Sequence, residues 1–198
     1  MTNINHKTYA MNAITPMKWW KTWIVRAFFL LLGTFKFLGK DLVGLSFIHF
    51  ARWVVIKRHK FPHVDSRQPK EDLRYDYLLF FSNFNGTWNQ YIDAFSAVLS
   101  QGLNAIWHWS EKFPGSVPVT PFKQYISRCQ FDTDYYYTAY PSATTNDVKA
   151  AHRVQAALND LARESADASP DEFARSYLKF LVAVQCDLGD TGKAPVGT

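Results

Sequence analysis

The chain has 198 residues, of which 17% are aromatic and 20% charged, and its formal net charge is +5. This length allows one domain with a substantial core, and the apolar content excludes a largely disordered chain. The charge is uneven: residues 1–74 hold 13 Lys or Arg against 4 Asp or Glu, and the remainder holds 9 against 13. Because no nucleic-acid-binding motif accompanies the cations, the basic N-terminal third favours an anionic lipid surface as partner, and no nucleic acid.

Residues 1–14 are polar and predicted to be flexible, and residues 15–44 are predicted to form an amphipathic helix that lies in a membrane interface. Thr15 and Pro16 have the residue types of a helix N-cap and of a first helical position. Cationic side chains can extend to lipid headgroups while aromatic rings enter the interface. The predicted membrane-binding residues are Lys18, Trp19, Trp20, Lys21, Trp23, Arg26, Lys36 and Lys40.

Two other arrangements of this helix stay open: it packs on its own domain or on a dimer mate, or it crosses the membrane. Only nine consecutive residues within it, 27–35, are uncharged, whereas a span needs about 20 apolar residues. Cys129 and Cys186 form no CxxC pair and are typical of free thiols in a reducing compartment. The sequence therefore predicts a peripheral protein on the cytoplasmic face of the membrane.

Residues 45–186 are predicted to form a single α+β domain, followed by a flexible tail at 187–198 that contains Gly and Pro. Strands are predicted at 46–56, 75–84 and 131–140. The first of them is apolar, aromatic and β-branched, and it is expected to be buried on both faces.

Capping boxes at Thr87–Gln90 and Thr144–Asp147 predict the starts of two helices, and a shorter helix is predicted over 120–128. Residues 170–186 fit either a last helix or a fourth strand. Strands joined by short loops, with helices between the later strands, favour a ferredoxin-like α+β sandwich. Such units often pair into a dimeric α+β barrel around a ligand cavity, so the sequence predicts a homodimer.

His49 and Arg52 are the candidate catalytic residues. They lie on opposite faces of the first predicted strand, where a polar side chain among apolar ones is costly unless it is paired. His49 would serve as an acid–base group or as a haem or metal ligand, and Arg52 would anchor a carboxylate or phosphate. The alternative is that each has only a structural hydrogen-bond or ion-pair partner.

The candidate ligand-binding residues are Trp53, Asn83, Asn85, Tyr135 and Tyr137. The two asparagines precede a capped helix whose backbone amides can receive an anion, although Asn-Gly is also an ordinary turn pair. Amphipathic aromatic side chains often surround an apolar ligand, and they are also common at the edges of a core. The sequence contains no metal-ligand spacing, phosphate loop or nucleophile signature.

Three stretches carry a resemblance: Phe47–Trp53 (FIHFARW), Leu79–Gly86 (LFFSNFNG) and Tyr136–Pro141 (YYTAYP). They resemble a group of uncharacterised bacterial proteins with a HFARW strand followed by an L-F-x-S-N-x-D-G turn. The turn is also remotely similar to one in dye-decolourising peroxidases, whose ferredoxin-like domains carry G-x-x-D-G at a haem pocket. Ser82 and Asn85 stand where that family has Gly and the Asp that assists peroxide chemistry, so the resemblance implies the fold more than the activity.

These features together predict a membrane-surface protein that binds an apolar or lipid-like acidic ligand, alone or as accessory to a partner lipid enzyme. Arg52 would hold the acidic head group, and His49 would supply a polar contact. Two alternatives remain: a haem-dependent, peroxidase-like oxidoreductase acting on lipid or an aromatic substrate, and a structural subunit that docks on a protein through the N-terminal helix.

Overall fold

The computed structural model describes residues 8–34, 48–61, 63–140 and 143–188. In chain order these residues form β1 (Thr8–Met17), α1 (Lys21–Thr34), β2 (Ile48–Ile56), β3 (Asp76–Asn85), α2 (Trp88–Trp107), α3 (Val119–Cys129), β4 (Gln130–Phe131), α4 (Thr145–Glu164) and α5 (Pro170–Val184). The strands form one antiparallel sheet in the order β2-β3-β1-β4. The predicted α+β class is confirmed, and the order of elements and strands is compatible with a ferredoxin-like fold.

β1 lies in the middle of the sheet, which corrects the flexibility predicted for residues 8–14 and the helix start predicted at Thr15; residues 1–7 lie outside the described residues. The strand pairs with β3 along its whole length, and α1 begins only at Lys21. Pro16 is tolerated in β1 because it lies beyond the short β4, where no ladder partner needs its missing N–H. Alternate residues of β1 are buried, as a strand with one face in the core requires: Met11, Ala13, Thr15 and Met17.

The core lies between one face of the sheet and helices α1 to α3. Its centre is aromatic: the ring centroids of Phe84 and Tyr91 are 4.2 Å apart, and those of Tyr91 and Phe95 are 5.2 Å apart. α2 begins at the predicted capping box. The backbone departs from helical geometry at Leu99, where the helix is kinked.

β2 is an edge strand, which corrects its expected burial on both faces. Among the described strands it pairs with β3 alone, and its residues Ala51 and Trp53 pack against the core that α1 to α3 cover. The opposite face, here called the outer face, carries Phe50, Arg52 and Val54, which are exposed. An apolar sequence therefore does not mark β2 as a central strand, since composition alone does not reveal strand order.

The strand predicted at 131–140 is wrong for all but its first residue, because β4 ends at Phe131. The chain then crosses the outer face. There Asn12 Nδ2 donates to the hydroxyl of Thr133 over 2.6 Å, and Asn83 Nδ2 donates to the hydroxyl of Tyr136. Side-chain hydrogen bonds thus hold this segment where backbone pairing was expected.

The last two helices form a hairpin. α4 begins at the predicted capping box. Residues 170–184 form a helix and not a strand. Ser169 and Glu172 form a capping box at its start, and Pro170 occupies the first helical position. Arg153 Nε donates to Asp187 over 2.9 Å, which ties α4 to the end of α5. The predicted tail lies almost wholly outside the described residues.

Candidate functional site

α1 turns one apolar side toward the core and a second apolar side toward solvent. Thr22 and Val25 on its inner side are fully buried, whereas Trp23 is 58% exposed and Leu30 73%. Exposed apolar residues recur at helical spacing along α1, and two more lie in the turn before it. We call them together the α1 apolar surface: Trp19, Trp20, Trp23, Ile24, Leu30 and Leu31. Exposed apolar patches of this kind mark surfaces for protein or membrane binding.

The predicted membrane-binding cations do not form one exposed stripe. Lys21 points to the body of the protein and pairs with Glu111 over 3.1 Å. The guanidinium carbon of Arg26 lies 5.6 Å from the ring centroid of Trp23, so this cation flanks the α1 apolar surface. The carbonyl of Lys18 accepts from the N–H of Lys21 in the turn before α1. Lys36 and Lys40 lie outside the described residues.

A buried carboxylate fixes α1 to the sheet. Asp76, at the start of β3, is 3% exposed. Its Oδ2 accepts from the hydroxyl of Thr22, and its Oδ1 accepts from the backbone N–H of Arg58 over 2.8 Å. One side chain therefore joins α1, β3 and the loop that follows β2. Sequence reasoning missed this residue, because a single Asp at a strand start carries no signature.

An open cavity of about 630 Å³ lies between α1 and β2. Three cationic residues, Arg26, Lys57 and Lys60, line it together with Phe29 of α1 and the backbone or side chains of Trp53, Val54, Val55 and Ile56 in β2. Two predicted site residues, Trp53 and Arg26, meet here. The two lysines were missed, because they read as ordinary charges of a polar loop.

Trp53 gives this cavity a rigid wall. Its ring centroid lies 5.0 Å from that of Phe80 and 6.1 Å from those of Phe29 and Trp107. Its indole Nε1 is buried without a hydrogen-bond partner among the described residues. The predicted ligand-binding role of Trp53 is therefore compatible with its position, and its ring also belongs to the core.

His49 and Asn85 come together at the end of the sheet. His49 lies at a bulge in the pairing of β2 with β3, and its Nε2 donates to Asn85 Oδ1 over 2.7 Å. Asn85 Nδ2 in turn donates to the hydroxyl of Thr8 over 3.1 Å. While His49 donates in this way, Nε2 has no lone pair for a haem iron. His49 thus has a structural hydrogen-bond partner in Asn85, as the alternative to a catalytic role predicts.

Arg52, the other candidate catalytic residue, does not line the cavity between α1 and β2. Its guanidinium carbon is 5.0 Å from the ring centroid of Phe81 on the outer face. Asn83 shares that face through its bond to Tyr136. Tyr135 and Tyr137 are 81% and 73% exposed, and their ligand-binding role stays a prediction.

A second cavity, of about 760 Å³, lies beside the N-terminal half of β1. Trp88 Nε1 donates to Gln130 Oε1 over 2.8 Å at its wall. Its lining includes Asp132 and none of the site residues predicted from sequence. Without a cation in this lining, the cavity is a poor match for an acidic ligand.

The described part of the chain holds no cluster of His, Cys, Asp or Glu suited to a metal ion. Among those same residues no helix combines the length and apolarity that crossing a bilayer requires. Comparisons with protein-family models, with curated proteins and with solved structures found no match to this chain.

Proposed function

We propose that this protein binds peripherally to an anionic membrane surface through the α1 apolar surface and holds a lipid-like acidic ligand there. The exposed tryptophan and leucine side chains of α1 carry this proposal. An interfacial helix inserts such side chains at the boundary between headgroups and acyl chains, and neighbouring cations add attraction to anionic lipid.

The charges around α1 favour lipid over a protein partner as the occupant of this surface. No Asp or Glu lies between Lys18 and Thr34. Arg26 and Lys57 both lie against Trp23, with 5.6 Å and 4.1 Å between the cation and the ring centroid. Cations beside an exposed tryptophan match a layer in which anionic headgroups border hydrocarbon.

Vesicle flotation tests the proposal directly. The wild-type chain is expected to float with vesicles of phosphatidylcholine and phosphatidylglycerol, and to float less with phosphatidylcholine alone. Replacing Trp20, Trp23 and Leu30 by Ser should abolish flotation. A matched control replaces three exposed apolar residues of α5 by Ser, namely Tyr177, Leu178 and Val182. It should float like wild type. If the α1 variant floats unchanged, the proposal is wrong. If the wild type does not float with vesicles but binds a protein partner through α1, the protein is a docking subunit.

We also infer a ferredoxin-like fold whose outer face is covered by a second copy of the chain. Phe50 and Val54 are exposed on that face, and Leu79 and Phe81 of the central strand β3 are only half-buried there. The wild type should sediment as a dimer and a Phe50→Asp variant as a monomer. Phe173→Asp in α5, where the ring is 46% exposed against 49% for Phe50, is the control and should stay dimeric. A monomeric wild type would exclude this arrangement.

A further inference from the structure

We propose that the open cavity between α1 and β2 binds an anionic single-chain amphiphile, with its phosphate or carboxylate headgroup on Arg26, Lys57 and Lys60. This rests on the proposed function, since the membrane surface is the source of such a molecule. It adds a site and a ligand class, and it moves the head-group anchor from Arg52, on the outer face, to three cations around one opening.

The three cations reach the cavity from two separate parts of the chain. Arg26 comes from α1, and Lys57 follows the last residue of β2. The N–H of Lys60 donates to the carbonyl of Lys57 over 3.0 Å, so a turn brings both lysines to the same side. Like charges brought together in this way repel each other unless an anion lies between them.

No carboxylate in the described residues neutralises this group. The ion pairs there involve other cations, such as Lys21 with Glu111 and Lys123 with Asp93. Arg26 offers a planar donor pair that fits phosphate or carboxylate oxygens, and the lysines add mobile donors. The cavity therefore has the charge and the donors that an acidic headgroup needs.

The rest of the lining is suited to a hydrocarbon chain. Phe29, Trp53 and Val55 provide an aromatic and aliphatic wall beside the cations. The volume of about 630 Å³ falls within the range of about 300–1,000 Å³ that is usual for small-molecule sites. A free phosphate ion would use the cations and leave this wall in contact with water, so the two halves together point to an amphiphile.

The position of the two walls is set by the buried Asp76. It binds Thr22, one helical turn before Arg26, and the backbone of Arg58, next to Lys57. The backbone positions from which Arg26 and Lys57 extend are thus held relative to each other before any ligand arrives, which lowers part of the ordering cost of binding.

The cavity also adjoins the α1 apolar surface. Lys57 Nζ lies 4.1 Å from the ring centroid of Trp23, which belongs to that surface, and Arg26 flanks the same ring. With α1 lying in a membrane interface, the cations of the cavity would be at headgroup depth. An amphiphile could then move between bilayer and cavity without exposing its whole chain to water.

Isothermal titration of the full chain without vesicles tests the site, with three probes. Decyl phosphate, below its micelle concentration, is expected to bind. Decanol, with the same chain and no charge, and inorganic phosphate, with the charge and no chain, should each bind at least tenfold more weakly. If decanol matches decyl phosphate, the cations contribute nothing and the proposal fails. If inorganic phosphate matches it, the site takes free phosphate and the amphiphile is excluded.

Variants in the β2–β3 loop separate this site from the membrane surface. Lys60→Gln should weaken decyl phosphate binding about tenfold, since one charge-assisted contact is lost. Lys70→Gln removes the same charge from an exposed residue outside the cavity and should bind like wild type. Both should still float with anionic vesicles, because the α1 apolar surface and its neighbouring cations Lys18, Arg26 and Lys57 are intact. Unchanged decyl phosphate affinity in Lys60→Gln would overturn the site, whereas loss of flotation in the α1 variant is a separate result that tests only the proposed function.

Discussion

The hydroxyl of Thr22 in α1 donates a hydrogen bond to the carboxylate of Asp76 in β3, and both side chains are buried. The second carboxylate oxygen accepts from the N–H of Arg58. A buried carboxylate is tolerated only when such donors replace its lost water. This pair therefore helps to hold α1 against the sheet with Trp23 on the side of the helix that faces away from the core.

Asp76→Asn is expected to lower the free energy of unfolding by about 1–3 kcal/mol, because an amide nitrogen would replace one acceptor and face a donor. Asp72→Asn removes the same charge from an exposed loop position and should change little. Urea unfolding of both variants measures the difference. Thr22→Val, combined with Asp76→Asn in a double-mutant cycle, should show coupling between the two residues. Equal stabilities of the Asp72 and Asp76 variants would contradict this role.

Reversal of two cations beside α1 should weaken binding to anionic vesicles. Lys18→Glu with Arg26→Glu leaves the ion pair of Lys21 with Glu111 intact, so the fold is preserved. Each cation near an anionic surface contributes about 1 kcal/mol, so the double reversal should reduce vesicle partitioning by well over tenfold. Flotation at rising salt checks that the effect is electrostatic, since screening should reduce the difference in vesicle partitioning between variant and wild type.

A double reversal in α5, Arg175→Glu with Lys179→Glu, is the matched control for this experiment. Both residues are exposed, and α5 carries no part of the α1 apolar surface. Its flotation should match that of wild type. If both double variants lose binding equally, the effect comes from net charge alone and α1 has no special part in it.

His49 and Asn85 are expected to differ in their effects on stability. Asn85 is 6% exposed and bonds both His49 and Thr8, so Asn85→Ala should cost about 1–3 kcal/mol. His49 is exposed, and His49→Ala should cost less than about 1 kcal/mol. Thermal unfolding of the two variants makes the comparison. A larger loss from His49→Ala would show that the histidine has further contacts that matter.

The elements that local signals determine were predicted well, and those that depend on distant partners were not. The capping boxes at Thr87 and Thr144 mark real helix starts, because their hydrogen bonds lie within four residues. β1 was missed because its partner β3 is more than 50 residues away and Thr15-Pro16 imitates a helix start. The edge position of β2 follows from the same distant pairing.

The candidate site was predicted only in part, because it too depends on residues that lie far apart in the sequence. The apolar character of α1 and its flanking tryptophans are visible in the sequence. Which side of the helix faces outward depends on how α1 packs against the sheet and the rest of the core. Lys57 and Lys60 become part of a cationic site only because the fold brings Arg26, about thirty residues earlier in the chain, to the same cavity. Spacing along the sequence cannot show such a convergence.

Stability should fall at alkaline pH because a tyrosine is buried in the core. Burial raises the pKa of Tyr91 far above its ordinary value, and the bond to Ser82 opposes this only in part. The folded pKa exceeds the unfolded one, so the stabilisation is complete below about pH 10 and is lost as pH rises further, by up to about 1.4 kcal/mol per pH unit. Urea unfolding between pH 9 and 11 should give a steeper decline for wild type than for Tyr91→Phe, which cannot ionise. Since the two proteins differ only at residue 91, the difference between the two slopes belongs to Tyr91, and equal slopes would contradict the prediction.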